Sequence, residues 1–328
     1  MLNKTAEHWG ANYFSVSFNR QEWQAHPLTL ERQFKIQDNQ MREVWFAKKY
    51  LSRPAKRAVG IGVGRAETEI ALLENGAVEH YDLFDVSPVG LEYAMSCARD
   101  KGFAHKVTCH CRPIMEAGLS PDTYDLATFV ASLHHMQPLE DVLLVVKRSL
   151  KDTGLIWCAN EYIGPDRFNY PAEHAGVARS FYQEIPSVLR NKWHPTLPGP
   201  TPEEVEAVDP TEAPCSSRIE ETMRRLFPRF EITSLYGAFA FILFWGLNHD
   251  ALYETPEGNE LVRFILAMDV ALEKSGILPP YFAHLVAWKT PTVELGTTSI
   301  NWRGVAHRIR TVASRLRSAA RRHAPPRA

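Results

Sequence analysis

Several groups of residues in this 328-residue chain could do chemistry by type and spacing. The stretch VGIGVGRAETEI (59–70) holds Gly62 and Gly64, with Ala66 where a third glycine would stand. Residues without side chains let backbone approach a bound molecule, and a small third residue eases packing of a helix on a strand. Asp85 follows ~20 residues later at the end of an apolar run, where a carboxylate can accept bonds from both hydroxyls of a ribose. It suits equally a turn or N-cap ahead of Pro88. His134 and His135 lie in ASLHHM; an imidazole with an unperturbed pKa of ~6.5 can take a proton during reaction. The same pair could instead cap the helix start near Pro138. Beyond them, Glu161 and Asn160 compete to polarise a histidine or bind a hydroxyl. Cys109, His110 and Cys111 alternate along a strand and so point to opposite faces, and no metal site is expected there.

The surrounding pattern alternates strand and helix. RAVGI (57–61) reads as a strand and ETEIALLENG as a helix closed by Asn75 and Gly76. VEHYDLFD (78–85) is a second strand, followed by a helix over 87–102 with Ser87 as N-cap and Pro88 in its first turn. KVTCHC (106–111) and DLATFVAS (125–132) continue the series, then a helix over 138–154 and a fifth strand at 155–160. Such alternation over ~100 residues predicts a parallel doubly wound sheet. Ahead of it, LTLERQFKIQDNQMREVWFAKKYL reads as helix within a cap over 1–55. After it, 162–217 is rich in proline and aromatics and reads as a long loop of the kind that covers a site. SRIEETMRRLF is a helix; FEITSLYG (230–237) and YFAHLVAWK (281–289) are late strands that predict an added antiparallel edge, with a helical insertion between them. GAFAFILFWGL (237–247) is too short to span a bilayer, which takes ~20 residues, and reads as core or pocket lining.

Open parallel sheets bind ligands at the carboxyl ends of their strands, so the first loop matters most. A dinucleotide site wants G-x-G-x-x-G and a pyrophosphate at the helix start, but here Glu67 takes the sixth place and its charge opposes pyrophosphate. S-adenosylmethionine has no phosphate and carries a positive sulfonium and ammonium, which tolerate acidic neighbours. Glu67 suits the first turn of a helix in any case.

In order, VGIGVGRAE, YDLFDVSP, YDLATFVASLHHM and RSLKDTGLIWCANEYIG resemble the motifs of class I S-adenosylmethionine-dependent methyltransferases over about 55–165. ASLHHM is similar to sugar O-methyltransferases, and NEYIGPDRF with DPTEAPCSSRI to methyltransferases of bacterial surface-polysaccharide pathways. The resemblance implies an α/β fold: a Rossmann-like, seven-stranded, mostly parallel sheet, with the N-terminal helical cap and insertions after strands five and six. The domain then covers 56–290, its substrate-covering insertions lie at about 162–217 and 238–279, and 291–328 is a basic tail. It further implies S-adenosylmethionine held by Gly60, Gly62, Gly64, Glu67, Asp85, Val86 and Ala131, with the two loop glycines by the methionine part and Val86 by the adenine. The family usually has an acid where Gly60 stands and an Asp near Arg112, so Glu67 and backbone would take their place. His134, His135 and Glu161 become the catalytic group, with Glu161 partnering a histidine. Tyr162, Arg167, Tyr170, Trp193 and His194 in the covering loop are the expected substrate contacts. The implied reaction is methylation of a sugar or glycan hydroxyl, a small-molecule or glycan acceptor being the partner. Methyl transfer is an in-line displacement in which alignment can supply up to ~7 to 11 kcal/mol.

A formal net charge of −1 gives no reason to expect nucleic acid. Five cysteines and a start without an apolar signal stretch predict a reducing, cytoplasmic location. From Arg303 the tail carries eight arginines, with Val305, Ile309, Val312 and Leu316 at helical spacing, which fits peripheral contact with the inner face of an anionic membrane or an unpaired solvated tail. Two other readings compete: an NAD(P)-linked oxidoreductase on the same sheet, and a methyltransferase-like binding module without activity.

Overall fold

The computed structural model describes residues 23–191, 197 and 199–291. Its centre is one seven-stranded sheet in the order β3-β2-β1-β4-β5-β7-β6. The strands are β1 (Ala58–Ile61), β2 (Tyr81–Asp85), β3 (Val107–Cys111), β4 (Tyr124–Val130), β5 (Leu150–Tyr162), β6 (Arg229–Tyr236) and β7 (Phe282–Trp288). The first five are parallel; β7 runs antiparallel between β5 and β6. Every residue of β1 and β7 is buried, as strands covered on both faces require. Strand order reverses between β1 and β4, so the carboxyl ends of these two strands splay apart and leave the crevice where such sheets bind ligands.

Helices α1 (Pro27–Ile36), α2 (Arg42–Tyr50), α3 (Glu67–Glu74), α4 (Pro88–Asp100) and α5 (Leu139–Ser149) precede the insertions. Trp45, Phe46, Ile70, Leu73 and Leu91 from α2, α3 and α4 close one face of the sheet. Val142, Leu143 and Val146 of α5 close the other, with Ile219 and Met223 of α8 (Ile219–Leu226). Ser87 caps α4 by accepting the Gly90 N–H, and Pro88 opens the helix, both as the sequence indicates.

Three elements differ from expectation. Among the described residues the N-terminal cap holds two α-helices, because Asp38 and Asn39 adopt left-handed backbone (φ 54° and 58°) between α1 and α2. Strand β5 begins at Leu150 directly after α5, since Leu150 pairs with Tyr124 ahead of a register shift in the ladder. The 162–217 segment holds α6 (Ala172–Glu184) and α7 (Pro202–Val208). Pro171 and Pro202 start these helices where sequence reading takes proline as a breaker; Thr201 and Glu204 complete a capping box on α7.

The second insertion folds as α9 (Ala238–Trp245), α10 (His249–Glu254) and α11 (Pro256–Lys274). With α6 they enclose a separate apolar cluster around Tyr182, Phe239, Leu243, Val262 and Phe282. The apolar run at 238–245 is thus core of this cluster. Among the described residues no helix is long and apolar enough to cross a membrane. Trp193, His194 and the basic tail lie outside the described residues.

Candidate active site

A cleft of about 1110 Å³ opens over the carboxyl ends of β1, β2 and β4, with Gly62, Gly64, Asp85, Ser132 and His135 in its wall. Gly62 and Gly64 have φ of 63° and 50°, a conformation that glycine adopts without steric cost. A Cβ on Gly62 would also lie 2.9 Å from the Ser132 Cβ, so a side chain there would push the loop off the rim of β4. Asp85 ties this loop to the next helix: one carboxylate oxygen accepts the Gly64 N–H at 2.7 Å, the other the Ser87 N–H at 2.7 Å. Burial raises the Asp85 pKa, against the lowering effect of bonds from the Ser87, Gly64 and Val86 backbone. A carboxylate has about four lone-pair sites, so Asp85 serves the turn and keeps capacity for a ribose hydroxyl.

Val86 and Ala131 line the cleft with Gly62, Gly64 and Asp85; Gly60 and Glu67 do not. Gly60 sits inside β1, with Val63, Glu69 and Leu83 filling the space its side chain would need. Glu67 turns outward, its carboxylate two-thirds exposed and 4.0 Å from the Arg65 guanidinium.

At the other end, the turn Leu133–His135 follows β4 and is fastened from beneath by Glu161, which is fully buried at the end of β5. The Glu161 carboxylate accepts the backbone N–H groups of Ser132, Leu133 and His134 at 3.3, 3.1 and 2.9 Å, and pairs with His134 Nδ1 at 2.5 Å. His134 is turned away from the cleft, while His135 forms part of its wall. Burial presses His134 toward its neutral form, but the charge and hydrogen bond of Glu161, with Glu212 and Asp209 behind, outweigh it and raise the pKa. For His135, burial and the neighbouring His134 win over the carboxylates and lower it.

Residues that sequence reasoning missed complete this end. Thr211 places its carbonyl 3.1 Å from His135 Nδ1, and Glu212 lies 3.7 Å from His134 Nε2 and 3.9 Å from His135 Nε2. Asp209, buried below, accepts the Thr211 N–H and hydroxyl at 2.8 Å each. The sequence signal was only two acids around a proline in DPTEAP, some 75 residues from the histidines in the chain.

The expected substrate contacts serve this loop from behind. Arg167 donates its backbone N–H to Ala213 O (2.7 Å) and its guanidinium to Pro210 O (3.0 Å). Tyr162 packs against Phe168, Phe241 and Phe282, and its hydroxyl donates to Pro165 O. Tyr170 is buried with its ring parallel to that of Tyr281. None of the three lines the cleft: burying a large ring in the insertion core outweighs presenting it to a ligand. Cys109 faces the Leu91 carbonyl of α4 while His110 stacks on Phe84 at 4.3 Å, so these two diverge.

Residues 58–158, the strands and loops that form the cofactor end of this cleft, match the family model for a methyltransferase domain. This segment is similar to methyltransferase domains. The residues present would fit S-adenosylmethionine, the cofactor that the sequence resemblance implies: an acidic side chain for a ribose, flanked by side-chain-free backbone. The matched region ends at Cys158 within β5, and the Asp209–Cys215 loop, which adds Thr211 and Cys215 to the wall, lies outside it. No curated protein matches the chain. Among solved structures, phosphoethanolamine N-methyltransferase 2 of Haemonchus contortus is 16% identical, covering 84% of this chain and 60% of its own, with a TM-score of 0.48. Geranyl diphosphate C-methyltransferase of Streptomyces coelicolor A3(2) is 14% identical, covering 75% and 76%, at 0.47. The cyclase SpnF is 18% identical, covering 76% and 80%, at 0.44.

Proposed function

We propose that the protein methylates an oxygen of a sugar or glycan acceptor, seated in the cleft with its hydroxyl against His135. One observation carries this reading: the Gly62–Gly64 loop with Asp85 and the imidazole of His135 are walls of the same cleft, one suited to the donor and the other to a hydroxyl that must lose a proton. Bound S-adenosylmethionine supplies an electrophilic methyl group on sulfur, which departs as the neutral thioether when an acceptor oxygen takes the carbon.

The chain's own residues do the rest. Asp85 and the glycine loop orient the donor, and His135 holds the acceptor oxygen where its proton is lost. Glu161 and His134 are positioning residues, since they fix the turn that carries His135. Alignment of this kind is a large share of what an enzyme can offer a displacement reaction. A polar wall beyond His135, with Gln137, Thr211, Arg218, Glu221 and Thr222, suits an acceptor rich in hydroxyls.

The test has two stages on the full chain. Calorimetry with S-adenosylhomocysteine and with NADH should give saturable binding of the first only. A screen of monosaccharide and glycan acceptors with labelled methyl donor should then give transfer that His135→Ala abolishes. Binding of the thioether with no transfer to any acceptor would leave a binding module, and NADH binding would replace the reading altogether.

A further inference from the structure

We propose that His134, His135 and Glu212 form a site for a divalent transition-metal ion of the zinc class, with an open coordination position on the cleft. One ligand atom from each of the three lies within 4.8 Å of the other two. Both imidazoles present Nε2 to the Glu212 carboxylate, at 3.7 and 3.9 Å. Ligand atoms arranged tetrahedrally at ~2.0–2.2 Å from a zinc ion stand about 3.3–3.6 Å apart. Each imidazole–carboxylate pair is thus within a few tenths of an ångström of that spacing, and the three ligand atoms together stay within 4.8 Å of one another.

The surroundings match what metal-binding histidines need. A ligating imidazole usually hands its other N–H to a carboxylate or a backbone carbonyl, which fixes the ring and its tautomer. His134 Nδ1 meets Glu161 at 2.5 Å and His135 Nδ1 meets the Thr211 carbonyl at 3.1 Å, so each ring has such a partner and each turns Nε2 the same way. The two rings lie side by side with centroids 4.2 Å apart on a turn whose backbone Glu161 holds. The loop that carries Glu212 is fastened on both sides of it: Asp209 takes the Glu212 N–H on its carbonyl and the Thr211 N–H on its carboxylate, and Arg167 donates to Pro210 O and Ala213 O. Three carboxylates, Glu161 and Asp209 buried and Glu212 largely so, surround two imidazoles, and a cation would balance them.

The donor set selects the class of ion. Two nitrogens and a carboxylate oxygen suit zinc and its transition-metal neighbours, whereas magnesium and calcium prefer oxygen throughout. Three protein ligands leave a fourth position, and since His135 lines the cleft an ion held by it would stand at the cleft wall. With the ion in place His135 would act on the acceptor hydroxyl through the metal, and the proton would pass to the Glu212 oxygen not engaged with the ion. That role rests on the methyltransferase reading; the metal site itself does not.

Purified full-length protein, stripped with chelator, is titrated with Co²⁺ and followed by visible absorption, with Zn²⁺ and then Mg²⁺ added as competitors. The site predicts saturation at one equivalent, displacement by Zn²⁺ and none by Mg²⁺. Glu161→Gln, which acts on His134 from behind, should weaken binding ~10- to 100-fold, and Glu212→Gln and His135→Ala should weaken it more. Melting temperatures of all variants are measured alongside, and the wild-type stoichiometry stands without any variant. No saturable signal, a signal indifferent to Glu212→Gln and His135→Ala, or equal competition by Mg²⁺ overturns the site. Calorimetry with S-adenosylhomocysteine on the same samples separates the two proposals, since the thioether binds at the opposite end of the cleft whether or not the metal does.

Discussion

Asp85 and His135 divide the work of the cleft, and each makes its own prediction. Asp85→Ala removes a charged acceptor, and hydrogen bonds to charged groups contribute ~1.5–3 kcal/mol each, so affinity for S-adenosylhomocysteine should fall at least tenfold by calorimetry. Asp85→Asn should lose less, because its amide oxygen can still accept one N–H. His135→Ala should leave that affinity within a factor of two while lowering kcat by ~10²- to 10⁴-fold, the usual contribution of assisted proton removal. A fall in thioether affinity equal to the fall in kcat would mean His135 supports the fold and not the reaction. Glu161 sits a layer deeper. Removing it leaves three backbone N–H groups and the His134 ring without their acceptor, each orphaned group costing ~1–3 kcal/mol. These losses share one site and do not add in full; breaking a buried pair costs ~3–5 kcal/mol, so Glu161→Ala should lower the unfolding free energy by about that much in urea titrations, where an exposed carboxylate would change it by under ~0.5 kcal/mol.

Among the elements, those with local signals were legible in the sequence. The glycine loop, the end of β2 at Asp85, the Ser87 cap on α4 and the turn after β4 all follow from residues within a few positions of one another, and each stands where its pattern puts it. The antiparallel edge followed too, because it needs only two late strands and a long connection. What failed depended on contacts between distant segments. Tyr162, Arg167 and Tyr170 look like ligand platforms in sequence, yet the insertion helices bury or engage them. The Asp209 turn is local to DPTEAP, but Glu212 reaches the histidines because the distant Arg167 holds Pro210 and Ala213, and no local pattern encodes that. Proline misled for a physical reason: at Pro171 and Pro202 it stands at a helix start, where a missing N–H costs nothing. At this scale the Gly62 loop is the sharpest point of failure. Gly62→Ala combines left-handed backbone with a 2.9 Å approach to Ser132, and it should reduce thioether binding more than melting temperature, since the loop lies at the rim of the sheet.

The described residues join a seven-stranded sheet to an apolar insertion core, and buried ionisable groups on the sheet and against it set how stability responds to pH. Burial raises Glu69, on α3 against Thr128 of β4, from 4.5 to about 7. The folded chain then holds a proton that the unfolded chain has released, so this group's favourable state is intact below pH 4.5 and is lost as pH rises through 7. The shift corresponds to about 3 kcal/mol at most. Burial, with the charges of Arg42 and Lys49, lowers His284 on β7 to about 3; its contribution is present above 6.5 and is lost as pH falls toward 3. Glu69→Gln should accordingly melt above the wild type at pH 8 and converge with it near pH 4.5, read by scanning calorimetry. A melting difference independent of pH would contradict that sign.

The most direct measurement is a crystal structure of the full chain with S-adenosylhomocysteine. The nucleoside should lie along the Gly62–Gly64 loop, with its ribose hydroxyls on the Asp85 carboxylate and its sulfur turned toward His135. A nucleoside lodged elsewhere, or a ribose that leaves Asp85 to the backbone alone, would contradict the account.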